Sequence, residues 1–223
     1  GDIIFENDIF RHSLEELFDI EHPGLKPEHP IYEKNKKQFI SNWEKKGDFD
    51  QQGVWVYYPW NKTLVHFPEA DIFNRLRTSR NRNLISSEEQ KKFENKCVGI
   101  AGMSVGSNIL NTLVLTGGPK HLKIADPDII SVPNLNRIMA PVSAVGINKA
   151  VYFARRSLEV NPFLVIEVFK DGLSPHLFQT FFTDKKLDLF IEEMDNPFLK
   201  IQSRISARKF KIPVVQAADN GDG

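Results

Sequence analysis

Acidic, amide and cationic side chains follow one another within a short stretch of this 223-residue chain. Asp126 and Asp128 come first, Asn134 and Arg137 follow, and Lys149 completes the group. A carboxylate can accept hydrogen bonds from ribose hydroxyls, and a guanidinium or an ammonium can hold phosphate oxygens. The group therefore predicts a crevice that is electropositive enough to hold a nucleoside triphosphate.

A glycine-bearing turn precedes this group by about one βαβ unit. It runs from Gly102 to Ser107 between a strand-like and a helix-like segment. The N-terminus of a helix presents free N–H groups and positive potential to a phosphate. We therefore expect Gly102, Ser104, Gly106 and Ser107 to bind the nucleotide. A tight strand-to-helix turn without any ligand is the alternative.

Three carboxylates have alternative roles. Asp126 ends a strand at the place where dinucleotide-binding sheets put the acid that binds ribose. Asp126 and Asp128 could instead hold a metal ion, since carboxylates suit Mg²⁺, or cap the next turn. Asp195 follows a later strand, and we expect it to hold Mg²⁺ on the phosphates, with helix capping as the alternative.

The elements that position these side chains alternate between strand and helix from residue 96 onward. Strands are predicted at 97–101, 121–125, 163–169, 187–191 and 213–217. Helices are predicted at 105–115, 149–159, 174–182 and 197–210, the third capped by Ser174-Pro175. Such alternation predicts an α/β fold with a Rossmann-like, doubly wound, mainly parallel sheet.

Residues 1–75 are typical of an N-terminal α+β extension, whose role the sequence does not indicate. The predicted helices are 13–19, 31–46 and 72–80, and the predicted strands are 53–58 and 63–67. Residues 76–223 form the predicted nucleotide-binding domain. Because both ends of the chain look cut, we expect this domain to be truncated at its C-terminal end.

Composition narrows the classes of partner. The chain has 29 Lys plus Arg and 29 Asp plus Glu, so a sequence-independent grip on nucleic acid is not expected. One cysteine, Cys97, cannot form an internal disulfide or a Cys-rich zinc site, which favours a cytoplasmic protein. No apolar run approaches the roughly 20 residues of a membrane span, so no membrane partner is expected.

The chain resembles the ubiquitin-activating-enzyme-like adenylyltransferases of the ThiF/HesA/MoeB type over residues 80–219. The resemblance rests on motifs in a shared order and spacing: Val105-Gly106-Ser107, Asp126-Pro127-Asp128, Ser131, Asn134-Leu135-Asn136-Arg137, Gly146, Lys149-Ala150, Asn161-Pro162 and Asp195-Asn196.

The resemblance implies ATP-dependent activation of a carboxylate as an acyl-adenylate, with release of pyrophosphate. ATP would lie over the glycine turn. Residues like Asp126 would bind the ribose, residues like Asn134, Arg137 and Lys149 the phosphates, and one like Asp195 would bind Mg²⁺.

The resemblance also implies the partners. The carboxylate would be the C-terminus of a ubiquitin-like protein or peptide. The protein would be a homodimer or pseudo-dimer, in which Arg82 of one copy, or the neighbouring Arg80, reaches the phosphates in the other.

Two departures keep other functions open. Ala101, Met103 and Ser104 stand at positions where the family usually has glycine, and no cysteine follows Asp195. One alternative is a non-catalytic nucleotide-binding module of a pseudo-dimer. The other is an NAD-dependent oxidoreductase, which only the generic βαβ unit with Asp126 supports.

Overall fold

The computed structural model of the chain describes residues 5–217. The chain forms two compact units, Gly1–Ile85 and Ser86–Gly223. This division falls later in the chain than residue 75, where the sequence places the boundary. Within residues 5–217, no helix combines the length and the apolar character that a membrane crossing needs.

The first unit is a small three-stranded sheet with helices. Its elements are β1 (Phe5–Asp8), α1 (Phe10–Glu21), α2 (Tyr32–Glu44), β2 (Val54–Tyr58), β3 (Thr63–Phe67) and α3 (Ala70–Arg77). The strand order is β1-β3-β2, with β1 parallel and β2 antiparallel to β3. The predicted strand-turn-strand is confirmed. β1 was not predicted, because its sequence Phe-Glu-Asn-Asp has no apolar alternation.

The core of the first unit forms where α1 packs against α2. Its buried side chains are Phe10, Leu14, Leu17 and Ile40, with Phe39 and Trp43 packed against them. Because residues three and four apart lie on one side of a helix, the face of α2 that carries Ile40 was readable from the sequence.

The second unit is an α/β domain. Its elements are α4 (Ser87–Glu94), β4 (Cys97–Ala101), α5 (Gly106–Leu115), β5 (His121–Ala125), α6 (Lys149–Val160), β6 (Val165–Phe169), α7 (Phe178–Thr183), β7 (Leu189–Glu192), α8 (Pro197–Lys209) and β8 (Val214–Val215). All neighbouring strands are parallel, in the order β6-β5-β4-β7-β8. The predicted doubly wound parallel sheet is confirmed.

Successive residues of β4 belong to opposite faces of this sheet. Val98 and Ile100 are buried in a core with side chains of α5 and α6, whereas Cys97 and Ala101 are buried in a second core with side chains of α7 and α8. Alternate residues of a strand point to opposite faces, so helices cover the sheet on both sides. The sheet can therefore present only its edges and strand ends to a ligand.

One predicted helix start was wrong. α7 begins at Phe178, and Ser174-Pro175 does not cap it. The N–H of Leu177 donates to the carbonyl oxygen of Ser174, which forms a turn before the helix. Ser-Pro is compatible with either a helix start or a turn, so the dipeptide alone could not separate them.

Candidate nucleotide site

One cavity of the second unit lies where β4, β5, β6 and β7 end. Its volume is about 330 Å³, near the lower end for small-molecule sites. The strand order reverses between β4 and β7, and open α/β sheets bind ligands at such a reversal. Six of the predicted site residues line this cavity: Gly102, Ser104, Asp126, Asp128, Lys149 and Asp195.

The turn after β4 requires glycine at its first position. Gly102 has φ of +92°, and a Cβ built there would lie 2.3 Å from the backbone oxygen of Glu193. Met103 follows, but its side chain is fully buried in the core between the sheet and α5. The methionine therefore leaves the cavity free, although the resemblance led us to expect a glycine at this position.

Asp126 is held in place by two backbone amides. Its carboxylate accepts hydrogen bonds from the N–H of Met103 at 2.6 Å and of Asp128 at 2.8 Å. Burial raises the pKa of Asp126, and these two N–H donors partly offset that rise. Each oxygen keeps a further lone pair, so the carboxylate can still accept from a ligand hydroxyl.

Lys149 opens α6 and is bound to Asp128 twice. Its ammonium lies 2.9 Å from Asp128 Oδ2, and its backbone N–H donates to the Asp128 carbonyl oxygen at 2.9 Å. The lysine side chain is only 7% exposed, whereas that of Asp128 is 65% exposed. The ammonium is therefore buried at the cavity wall and already paired with a carboxylate.

Arg137 lies at the edge of the cavity, outside its lining. Its Nε donates to Ser104 Oγ at 3.3 Å, and its Nη1 donates to the carbonyl of Pro133 and the amide oxygen of Asn136. Because Ser104 lines the cavity, these bonds hold the guanidinium beside the turn.

Asp195 lines the cavity and does not cap α8. Asn196 is the capping residue, and its side-chain oxygen accepts from the N–H groups of Phe198 and Leu199. The capping alternative for Asp195 is therefore wrong. Asp195 is exposed and has no side-chain hydrogen bond within residues 5–217. That part of the chain also contains no group of three or more acidic, His or Cys side chains arranged for a metal.

Gly106 and Ser107 lie on the same turn but outside the cavity lining. A Cβ on Gly106 would meet Ile100 at 2.9 Å, so this glycine lets α5 approach β4. Ser107 donates from Oγ to the carbonyl oxygen of Ser104 at 2.8 Å, which closes the first turn. Their roles in nucleotide binding stay predictions.

Asn134 and Arg82 are also outside the lining. Asn134 is buried, and its side-chain oxygen accepts from the backbone N–H and the hydroxyl of Ser131 at 3.0 Å. Arg82 belongs to the first unit, where it lies in a short 3-10 helix, Ser79–Asn83. The phosphate roles of both residues stay predictions.

The lining also contains acids that the sequence analysis missed. Asp171 follows β6 and Glu193 follows β7. Both obey the rule that pointed to Asp126, namely that the carboxyl ends of parallel strands meet at one edge. The cavity wall thus carries five carboxylates and the single ammonium of Lys149. The expectation of an electropositive crevice was wrong for the residues that line this cavity, because their carboxylates outnumber the one ammonium, and Arg137 lies outside the lining.

A parallel sheet covered on both faces, with a cavity at its order reversal, defines a Rossmann-like α/β domain. The model of the ThiF family matches residues 78–221. The chain belongs to the ThiF family, as the resemblance indicated.

Relatives of known sequence or structure agree. The chain is 37% identical over 166 residues to an uncharacterized protein of Mycobacterium tuberculosis, covering 74% of this chain and 23% of that protein. It is 32% identical over 114 residues to a probable molybdopterin-synthase adenylyltransferase of Porphyra purpurea, covering 51% of this chain and 28% of that protein. The chain thus spans about a quarter of the length of these two relatives.

A solved structure shares the fold. It is the tRNA N6-threonylcarbamoyladenosine dehydratase TcdA of E. coli, with a TM-score of 0.62 and 25% sequence identity. The match covers 67% of this chain and 61% of that chain, and that protein has been solved in complex with ATP.

Proposed function

We propose that this chain binds ATP and uses it to activate a carboxylate as an acyl-adenylate. The observation that carries the proposal is the convergence of Gly102, Ser104, Asp126, Lys149 and Asp195 on one cavity at the carboxyl edge of the sheet. Membership of the ThiF family, the adenylyltransferase relative and the ATP complex of a structural relative support it.

The contacts support a role for each of these residues. Asp126, oriented by two N–H groups, accepts from the ribose hydroxyls, with exposed Asp128 beside it. Lys149 presents a buried ammonium to the phosphates, and Arg137 lies at the turn, where it can neutralise negative charge. Asp195 has a free carboxylate at the cavity wall and is the proposed residue for Mg²⁺.

The charge of the wall argues for a metal ion. A triphosphate next to five carboxylates is repelled unless cations intervene. Carboxylate oxygens suit Mg²⁺, which is usually held by one or two carboxylates and the substrate phosphates. A bound Mg²⁺ would supply charge neutralisation at the phosphates.

The proposed reaction needs alignment more than covalent help from the protein. An oxygen of the substrate carboxylate attacks the α-phosphorus, the bond from that phosphorus to the bridging oxygen breaks, and pyrophosphate leaves with the bonding electrons. The products are the acyl-adenylate and pyrophosphate. The protein contributes by holding the reactants in line and by stabilising charge on the phosphate oxygens.

The substrate is proposed to be the C-terminal carboxylate of a ubiquitin-like protein or peptide, encountered in the cytoplasm. TcdA, a structural relative, is named for a tRNA, so RNA belongs in the test. The balanced charge of the chain favours the protein or peptide. If only a protein or peptide acceptor supports exchange of pyrophosphate into ATP, the substrate is a C-terminal carboxylate; if only RNA supports it, the substrate is RNA.

The first experiment measures binding. ATP titrated in Mg²⁺ should bind, EDTA should weaken binding, and excess NAD should not displace ATP.

Asp195→Ala should lower pyrophosphate exchange by about a hundredfold, since it removes the metal-binding carboxylate. Asp184→Ala removes an exposed acid outside the cavity lining and is the matched control. Full exchange by Asp195→Ala would refute the assignment of Asp195.

A second experiment tests the proposed homodimer with Arg82 acting from the partner. Arg82→Ala and Asp195→Ala should each lose most of the pyrophosphate exchange when tested alone. Random mixing of two such subunits gives heterodimers in which one site is intact, so about a quarter of all sites should recover. No recovery, with subunit exchange verified, would show that Arg82 does not act across a dimer.

The acidic cavity wall favours one alternative function, that of a nucleotide-binding module without catalytic activity. In that case ATP binds with Mg²⁺, yet no acceptor supports pyrophosphate exchange. An acceptor that gives exchange excludes it.

A further inference from the structure

Asn148, the residue before α6, takes no part in the roles proposed above. Its side-chain oxygen accepts a hydrogen bond from the N–H of Val151 at 3.0 Å, which caps the helix. Capping of this kind satisfies a backbone donor that the first turn of a helix leaves without a partner. Half of the amide group is thereby used within α6.

The other half of the amide leaves the helix. Asn148 Nδ2 donates to the carbonyl oxygens of Asp126 at 2.9 Å, Asp128 at 3.1 Å and Lys170 at 3.0 Å. Two of these carbonyls belong to the loop after β5, and the third belongs to the loop after β6. The two hydrogens of one amide thus join the start of α6 to two strand-end loops.

These loops carry much of the cavity wall. The first loop contributes Asp126 and Asp128, and the second continues from Lys170 into Asp171 and Gly172, which also line the cavity. The helix contributes Lys149, the residue that follows Asn148. An isolated antiparallel bridge between Ile129 and Asn148 runs alongside.

We propose that Asn148 is a positioning residue for the nucleotide cavity, a role that rests on the proposed function. It sets the distance between the ribose-binding carboxylate, the lysine and the loop after β6. The chemistry is specific to asparagine. Ser, Thr and Asp can cap a helix, but none has an acceptor and an NH₂ donor on the same short branch.

The Asn148→Asp variant separates the two halves of the amide. An aspartate keeps the capping oxygen and the shape, but it replaces the NH₂ donor with an acceptor that faces three carbonyl oxygens. Asn95→Asp adds the same charge at an exposed position outside the cavity lining, and it is the matched control. Asn148→Ser is a second variant that keeps a cap without adding charge.

Two measurements decide the proposal. In Asn148→Asp, amide hydrogen exchange should accelerate in residues 126–130 and 170–173, while Val151 stays protected. The Kd and KM for ATP should rise about tenfold, which is the loss expected for roughly one net hydrogen bond, with kcat changed much less. Asn148→Ser should change in the same direction, and Asn95→Asp should match the wild type.

Two results would each overturn the proposal. One is an unchanged rate of amide hydrogen exchange in both loops, and the other is an ATP Kd within twofold of the wild type in both Asn148 variants. If Asn148→Asp does not fold, Asn148→Ser alone decides. If the wild-type chain does not bind ATP, the proposed function fails. The hydrogen-exchange comparison still shows, in that case, whether Asn148 joins the loops.

Discussion

Replacing Gly102 with alanine tests whether the turn after β4 needs glycine for two separate reasons. Its φ of +92° is strained for a residue with a side chain, at a cost of about 1–2 kcal/mol. The added Cβ would also lie 2.3 Å from the carbonyl oxygen of Glu193, so the loop after β7 must move. Overpacking costs about 1–3 kcal/mol, and we expect a total loss of roughly 3 kcal/mol in the free energy of unfolding.

Two other glycines separate these costs. Gly146 has φ of +90°, but a Cβ there meets no heavy atom within 4 Å. Gly146→Ala should therefore lose only the conformational part, about 1–2 kcal/mol. Gly24 has neither a positive φ nor a neighbour within 4 Å, so Gly24→Ala should change stability by less than about 1 kcal/mol. The difference between Gly102→Ala and Gly146→Ala measures the contact with the loop after β7.

The assay is urea unfolding followed by far-ultraviolet circular dichroism. Tryptophan fluorescence does not suit Gly102 and Gly146, because Trp43, Trp55 and Trp60 all belong to the first unit. ATP binding by Gly102→Ala should weaken as well, since the same loop carries Asp195. If Gly102→Ala is no less stable than Gly146→Ala, the loop after β7 yields freely and the reasoning fails.

Three other predictions concern the second unit. Arg204→Ala should cost about 2–3 kcal/mol in urea unfolding, because fully buried Glu192 loses the guanidinium 3.1 Å away, and adding Glu192→Gln should recover part of that loss. Asp188→Asn should cost less than about 1 kcal/mol at neutral pH. Burial tends to raise the pKa of Asp188, but the Cys97 N–H and Lys96 lower it overall. The stability that the ionised Asp188 contributes should therefore fade as the pH falls below about 4, and the difference in unfolding free energy between wild type and variant should disappear there. Cys97 is 2% exposed and burial raises its pKa, so a thiol reagent should label it only after denaturation, and rapid labelling of the native chain would contradict its burial.

Local patterns accounted for most of the second unit. The alternation of strand and helix from residue 96 and the acid at the end of β5 were both readable in sequence, because each depends on neighbours within a few positions. The start of α7 was not, since Ser174-Pro175 fits a turn as well as a helix. The sequence analysis did not predict β1, because this strand depends on pairing with β3, which lies far along the chain.

The candidate site also has residues that the sequence predicted and residues that it did not. Sequence reasoning found Asp126, Lys149 and Asp195, because each stands beside a predicted strand or helix end. It expected a cationic crevice, since it counted charges along one stretch of chain. It assigned no role to Asp171, which follows β6, or to Glu193, which lies in the same loop after β7 as Asp195.

The amino-acid sequence by itself determined the class of fold and the chemical types present, because strand and helix periods and turn residues act locally. Tertiary structure alone decided which strand ends became neighbours. That choice brings the loops after β5, β6 and β7 to one cavity and makes its wall acidic. It also lets one amide, that of Asn148, reach two of those loops, which no spacing along the chain encodes.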